Sequence, residues 1–207
     1  QEEFINLNDG ELEIPINRFN STAEQPPLLL WLPSAYGTTE QQTVTAKALT
    51  ELGFEVWIVD LHIAYFADVG RNSEEQFKAD DIAQLISIAA QASRNKVYVI
   101  ATDAVSRPAL QGIARYQQQM AKADTPMRVG GAILFEPKLS YASTEPGTPA
   151  RYYPVAKNST IPIYYIQPVL STRQWRSQDT VNTLQAGGSQ VFLRSMPGVG
   201  DGFHLLP

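Results

Sequence analysis

The chain has 207 residues, 43% hydrophobic and 18% charged, which suits one globular domain with a sizeable core. Its 21 acidic and 16 basic side chains leave a net charge of −5 with no Lys/Arg-rich run, so nucleic acid is not an expected partner. No stretch reaches the roughly 20 consecutive apolar residues of a membrane span, and the absence of cysteine removes disulfides, thiolate metal sites and cysteine nucleophiles.

Residues 4–17, FINLNDGELEIPIN, read as two short alternating segments about an Asn8-Asp9-Gly10 turn, the pattern of a β-hairpin. Leu12, Ile14 and Ile16 share one face, and Pro15, without an amide donor, places this strand near a sheet edge. PLLLWL at 27–32 is continuously apolar, as in a strand covered on both faces. Thr38 with Gln41, or Thr39 with Gln42, supplies a capping box, and Val44, Ala48 and Leu52 recur at helical spacing until Gly53. Phe54 to Val59 is the next buried strand, closing on Asp60. Ser73 and Gln76 form a second capping box, ahead of an apolar stripe of Phe77, Ile82, Leu85, Ile86 and Ala89.

Val97 to Ala101 reads as the central strand, Arg107 to Met120 as a helix, and Gly131 to Phe135 as a strand ending in Glu136-Pro137. Residues 137–160 show neither period, as in a functional loop or an ordered surface connection. Ile161 to Ile166 is a strand, Gln178 to Leu184 a short helix, and Gln190 to Arg194 the last strand. This alternation predicts an α/β fold, with a mostly parallel central sheet of about eight strands, an antiparallel N-terminal hairpin and helices on both faces. There is no repeat and no interdomain linker, so residues 1–207 read as a single domain. Starting at Gln1, the chain reads as processed or excised from a longer polypeptide; lacking cysteine, with many Gln and Asn and few Lys, it suits a secreted or bacterial periplasmic setting.

In order, the chain resembles the α/β-hydrolase superfamily over nearly its whole length. The hairpin matches the two opening strands, LLLWLPSAYG the third strand with its oxyanion loop, and FEVWIVDLH the fourth with its terminal Asp60. KVYVIATDAVS matches the strand and nucleophile turn, and VFLRSMPGVGDGFH is similar to the last strand and histidine loop. The resemblance implies a nucleophile in a sharp turn, a histidine base, an orienting carboxylate and two oxyanion amides.

Asp103 stands at the nucleophile position, a residue type used by the dehalogenase and epoxide hydrolase branches; its other reading is a carboxylate at a helix N-terminus. Val105 and Ser106 replace the usual glycines, and with Pro108 they predict a relaxed loop over 102–105, with Ser106 as N-cap. Ser106 is also a second nucleophile candidate. His204 is the base candidate, three residues past Asp201, which holds the family's histidine register. No carboxylate follows Ile166 in Gln167-Pro168-Val169-Leu170, so Glu136 is the substitute acid or else a solvated strand terminus.

Ser34, Ala35 and Tyr36 form the oxyanion loop, and Thr102 and Ala104 flank Asp103 in the cleft. Asp60 and His62 face the same end of the sheet, His62 as a structural residue or a substrate contact. Tyr36, Tyr65, Phe66 and Tyr141 are expected to line an aromatic cleft. No ligand spacing for a metal and no Gly-rich phosphate loop occurs, so no cofactor is expected. Two functions follow: a domain that has lost hydrolysis and binds a small molecule or another protein or domain, or a hydrolase of a small ester, epoxide or halide using Asp103 with His204 and Glu136.

Overall fold

The N-terminal hairpin forms the margin of the sheet in the computed structural model, which describes residues 3–142 and 148–203. Strands β1 (Glu3–Leu7) and β2 (Leu12–Phe19) are antiparallel, with Leu7 opposite Leu12, and the connection passes through Asn8, Asp9 and Gly10 at positive φ. Pro15 lies opposite Phe4 in this pair. The neighbouring strand β4 (Glu55–Val59) has ended there; the Asp60 amide donates to the Pro15 carbonyl at 2.9 Å, and the Asp60 carbonyl, to which proline cannot donate, accepts from the Ala64 amide at 3.3 Å.

The remaining strands are β3 (Leu28–Trp31), β5 (Val97–Thr102), β6 (Val129–Phe135), β7 (Ile163–Pro168) and β8 (Val191–Met196). They make one eight-stranded sheet of order β1-β2-β4-β3-β5-β6-β7-β8, parallel from β4 to β8. The expected α/β architecture is present. Strand order turns back around β3 and β5, which places ligands at the carboxyl ends of these strands.

Two apolar clusters mark the two faces of the sheet. The larger one packs α3 (Ala79–Ala92), α4 (Ser106–Lys122), α5 (Pro154–Asn158) and α6 (Ser177–Gly187) against residues such as Leu30, Val99 and Leu134. The smaller one joins α1 (Glu40–Glu51) to Leu29, Trp31, Val56 and Ile58 through Ala46 and Leu49. Alternate residues of one strand, such as Leu29 and Leu30, point to opposite faces, and both are buried, which is why the strands read as unbroken apolar runs.

Several local expectations need correction. The first capping box is that of Thr39, whose Oγ1 accepts from the Gln42 amide at 3.3 Å while Gln42 Oε1 accepts from the Thr39 amide at 2.9 Å. Gln42 is thereby turned inward, the buried side of α1 runs through Gln42, Ala46 and Leu49, and the proposed stripe is outside, with Val44 52% and Leu52 74% exposed. Ser73 caps no long helix. Residues Ser73–Gln76 form a short 3-10 turn, α3 starts at Ala79, and the Ser73 hydroxyl donates instead to the Ala35 carbonyl at 2.8 Å. A short helix, α2 (Leu61–Ala64), follows β4 with Asp60 as its N-cap. The described parts of the 137–160 connection are tied in through the Ser140–Tyr152 bridge, α5 and buried Leu139 and Tyr152.

Helices α3 and α4 approach each other at Gly112, where an added Cβ would lie 2.3 Å from Ile82 Cγ2 and 2.6 Å from Ile82 Cβ. Alanine would gain about 1 kcal/mol of helix propensity, but overpacking against a stiff β-branched side chain costs about 1–3 kcal/mol. Gly112→Ala is expected to lower stability by about 1 kcal/mol in urea denaturation; a gain would show that the α3–α4 contact yields.

Candidate functional site

Strand β5 carries its apolar run through Thr102 and then turns at Asp103, whose φ is +44°. A 3-10 turn over Asp103–Val105 passes directly into α4, so the relaxed loop expected at 102–105 is replaced by a tight strand-to-helix turn. Val105 does not obstruct it, because its side chain is fully buried in the larger core cluster. Asp adopts a left-handed conformation more readily than most residues, and the Asp103 carbonyl is held by the Lys138 amide at 3.0 Å. The capping role expected of Ser106 is absent: it lies within the helix at φ −57°, is 0% exposed, and its Oγ has no partner among the described residues. That burial also keeps it out of the cleft.

The cleft has a volume of about 320 Å³ and lies where Ser34, Ala35 and Tyr36, after β3, meet the ends of β5 and β6. Its charge pattern centres on Arg173, which the sequence reading did not single out. The segment after β7 is pinned by the Val169 amide on Met196 O and the Leu170 amide on Val199 O, and the Arg173 amide donates to Ser171 Oγ at 3.1 Å. Arg173 Nη1 then donates to Asp103 Oδ1 at 2.7 Å, and Nη2 lies 3.9 Å from Glu136 Oε2. A guanidinium thus stands in the loop where the resemblance called for the orienting acid. The sequence signal for it is modest: Arg173 is the first charged residue after β7 begins.

Glu136 turns out of β6 at φ +49° and is 2% exposed, so it is not a solvated terminus. Its Oε2 accepts from the Gly202 amide at 3.0 Å, joining β6 to the loop after β8, and its Oε1 has no partner among the described residues. Burial raises the Glu136 carboxyl above its usual range, opposed by the Gly202 amide and Arg173 and reinforced by Asp201 and Asp103. Asp201, in the expected histidine register, accepts from Thr172 Oγ1 at 3.0 Å; the hydroxyls of Ser171 and Thr172 hold it below the usual carboxylate range. Thr102 Oγ1 is a second unpartnered buried atom of this cleft. Such orphaned groups cost about 1–3 kcal/mol each.

The loop after β3 folds on itself: Tyr36 N donates to Ser34 Oγ at 3.1 Å, and Ser34 Oγ donates to Gly37 O at 2.9 Å. One amide of that loop is therefore already taken. Asp60 Oδ1 accepts from the Ile63 amide at 3.1 Å. His62 is 3% exposed, with Nε2 2.9 Å from Ser73 Oγ. The Ser73 hydroxyl gives its hydrogen to Ala35 O, so His62 Nε2 is the donor in that pair, which leaves Nδ1 as an acceptor without a partner among the described residues. Burial lowers the His62 pKa against the pull of Asp60, so the ring is a neutral brace for the loop after β3. Neither His62 nor Asp60 lines the cleft.

His204 lies outside the described residues. The expected aromatic cleft is not assembled, since of its four members only Tyr36 lines the site. Tyr65 stacks on Phe77 and bonds Asp81, Phe66 is 98% exposed, and Tyr141 faces a neighbouring pocket with Trp175. Sequence spacing put these rings near the right end of the sheet without fixing where they point. Among the described residues no cluster of three or more His, Asp or Glu side chains could hold a metal ion, and no helix is long and apolar enough to cross a membrane.

No protein-family model matches the chain, and no curated protein matches it. Solved structures do. An α/β serine hydrolase homologue from Coxiella burnetii is 14% identical at a TM-score of 0.66, covering 99% of this chain and 90% of that one. An esterase of Pyrobaculum calidifontis is 14% identical at a TM-score of 0.69, covering 98% and 76%. Esterase 2 of Thermogutta terrifontis, phosphonylated by cyclosarin, is 12% identical at a TM-score of 0.63, covering 98% and 84%. With the strand order and the Asp103 turn, these likenesses define the class: the chain has the α/β-hydrolase fold.

Burial raises Glu136 above its ordinary value of 4.5, so the folded chain holds this proton more tightly than the unfolded one. Its contribution to stability is fully present below 4.5 and is lost as pH rises through the raised value. Glu136→Gln keeps an acceptor for the Gly202 amide and removes the titration. The stability of the variant relative to the parent should improve as pH rises from 4.5 toward neutrality, read by urea denaturation at each pH; a difference independent of pH contradicts the assignment.

Proposed function

We propose that this chain is a binding module built on the α/β-hydrolase fold, one that keeps the nucleophile turn and has given up hydrolysis. The observation that supports this reading is the Arg173–Asp103 ion pair at 2.7 Å. A carboxylate nucleophile needs a free oxygen lone pair, and its ester intermediate needs a base to activate water. Arg173 bonds one of the two Asp103 oxygens, stabilising the anion and so weakening it as a nucleophile, and it offers no substitute for the base, because a guanidinium keeps its protons. The carboxylate partner that would orient a histidine is replaced by a cation, which would repel an imidazolium formed in the transition state. Asp201 accepts hydroxyl bonds that stabilise its ionised form, which weakens it as a base.

The competing reading, an active hydrolase using Asp103 with His204 and Glu136, draws on the tight turn at Asp103. A panel of chromogenic short-chain esters, an aryl epoxide and a haloalkane separates the two, assayed with the parent chain and with a folded Asp103→Ala variant. Both proteins are expected to stay at the uncatalysed rate on every substrate. A parent rate above background that disappears in the variant overturns the binding reading.

A further inference from the structure

The binding reading can be taken further, to the chemistry of the ligand. Three carboxylates, Asp103, Glu136 and Asp201, surround the cleft, and Arg173 is the one cation among its described lining residues. Arg173 is committed to Asp103 at 2.7 Å and reaches Glu136 only at 3.9 Å, while the hydroxyl partner of Asp201, Thr172, is neutral. Negative charge is left over. The second observation is independent of the acids: Thr102, fully buried in the cleft wall, leaves Oγ1 without a partner among the described residues. Glu136 Oε1 is likewise buried and unpartnered. Thr102 stands opposite Phe135 in the β5–β6 ladder, so it and Glu136 occupy adjacent strand ends. The two orphaned oxygens therefore belong to one part of the cleft, where a ligand with hydrogens to donate would satisfy both.

We propose that this cleft binds a small organic cation, a primary ammonium compound, which donates to Glu136 Oε1 and Thr102 Oγ1. Its charge offsets the carboxylates that Arg173 leaves uncompensated, and its alkyl body lies toward exposed Tyr36 at the rim. A cleft of about 320 Å³ is at the small end of ligand sites. A metal ion does not fit, because the carboxylates are too dispersed to coordinate one. Arg173 Nε is also buried without a partner among the described residues, but an anion accepting from it would lie among three carboxylates; Lys138 and Arg176 line the neighbouring pocket.

The test is an NMR titration of the uniformly 15N-labelled chain with n-butylamine, with butyrate and n-butanol as probes of matched length. Butylamine alone should give saturable shifts, centred on the amides of Gly202 and Lys138, which bond to Glu136 and Asp103. Thr102→Val and Glu136→Gln should each weaken binding by about tenfold or more, with amide spectra outside the cleft unchanged. Should Glu136→Gln fail to fold, Asp201→Asn in the exposed loop replaces it and should weaken binding in the same direction. Absence of amine shifts, equal or tighter binding of butyrate, or unchanged affinity in the variants overturns the proposal. The hydrolysis panel keeps the two claims apart: silence there with no amine binding rejects the ligand class alone, whereas an Asp103-dependent rate rejects the binding reading whatever the amine does.

Discussion

Arg173 stands among three strand ends that would otherwise meet as a set of like charges. Asp103 leaves β5, Glu136 leaves β6, and Asp201 follows β8, all at the carboxyl edge of one sheet. Parallel topology brings these ends together whatever residues they carry, and carboxylates placed there repel one another and resist desolvation. The guanidinium, delivered by the segment after β7, is the counterion that makes the arrangement tolerable. The same contact restrains Asp103, and on it rests the proposal that Asp103 no longer serves as a nucleophile.

Around that contact the loops are stitched together by backbone bonds. The Lys138 amide reaches back to Asp103 O, and the Gly202 amide reaches Glu136 Oε2, so the connection after β6 and the loop after β8 both close onto the turn. His62 and Ser73 brace the loop after β3 through Ala35. The cleft is thus held by polar contacts, yet Thr102 Oγ1, Glu136 Oε1 and Arg173 Nε stay unmatched among the described residues. Unmatched polar atoms beside a cleft are the basis of the proposal that it takes a polar ligand.

Much of the fold was legible because burial on both faces leaves a plain mark: LLLW, VWIV and VYVIA are unbroken apolar runs, and each lies in a strand. The place of the turn at Asp103 was equally visible, since it follows the central run at once. Its conformation is not legible from residue size, because the direction of Val105, into the core, decides whether it obstructs the turn. Periodicity likewise gave the length of α1 and not its rotation, which the inward Gln42 of the capping box sets. Arg173 was illegible for a different reason. It sits in an aperiodic segment, 70 residues from its partner, and only the closure of the sheet brings the two charges together.

Whether Asp103 is truly engaged is most directly measured by a double-mutant cycle on Asp103→Asn and Arg173→Gln, read by urea denaturation at low and high salt. Both side chains are 34% exposed, so solvent screens part of the attraction. The account predicts a coupling energy of about 1 kcal/mol that shrinks with salt. Additive single effects, with no coupling at low salt, would show that Asp103 is free and would contradict it.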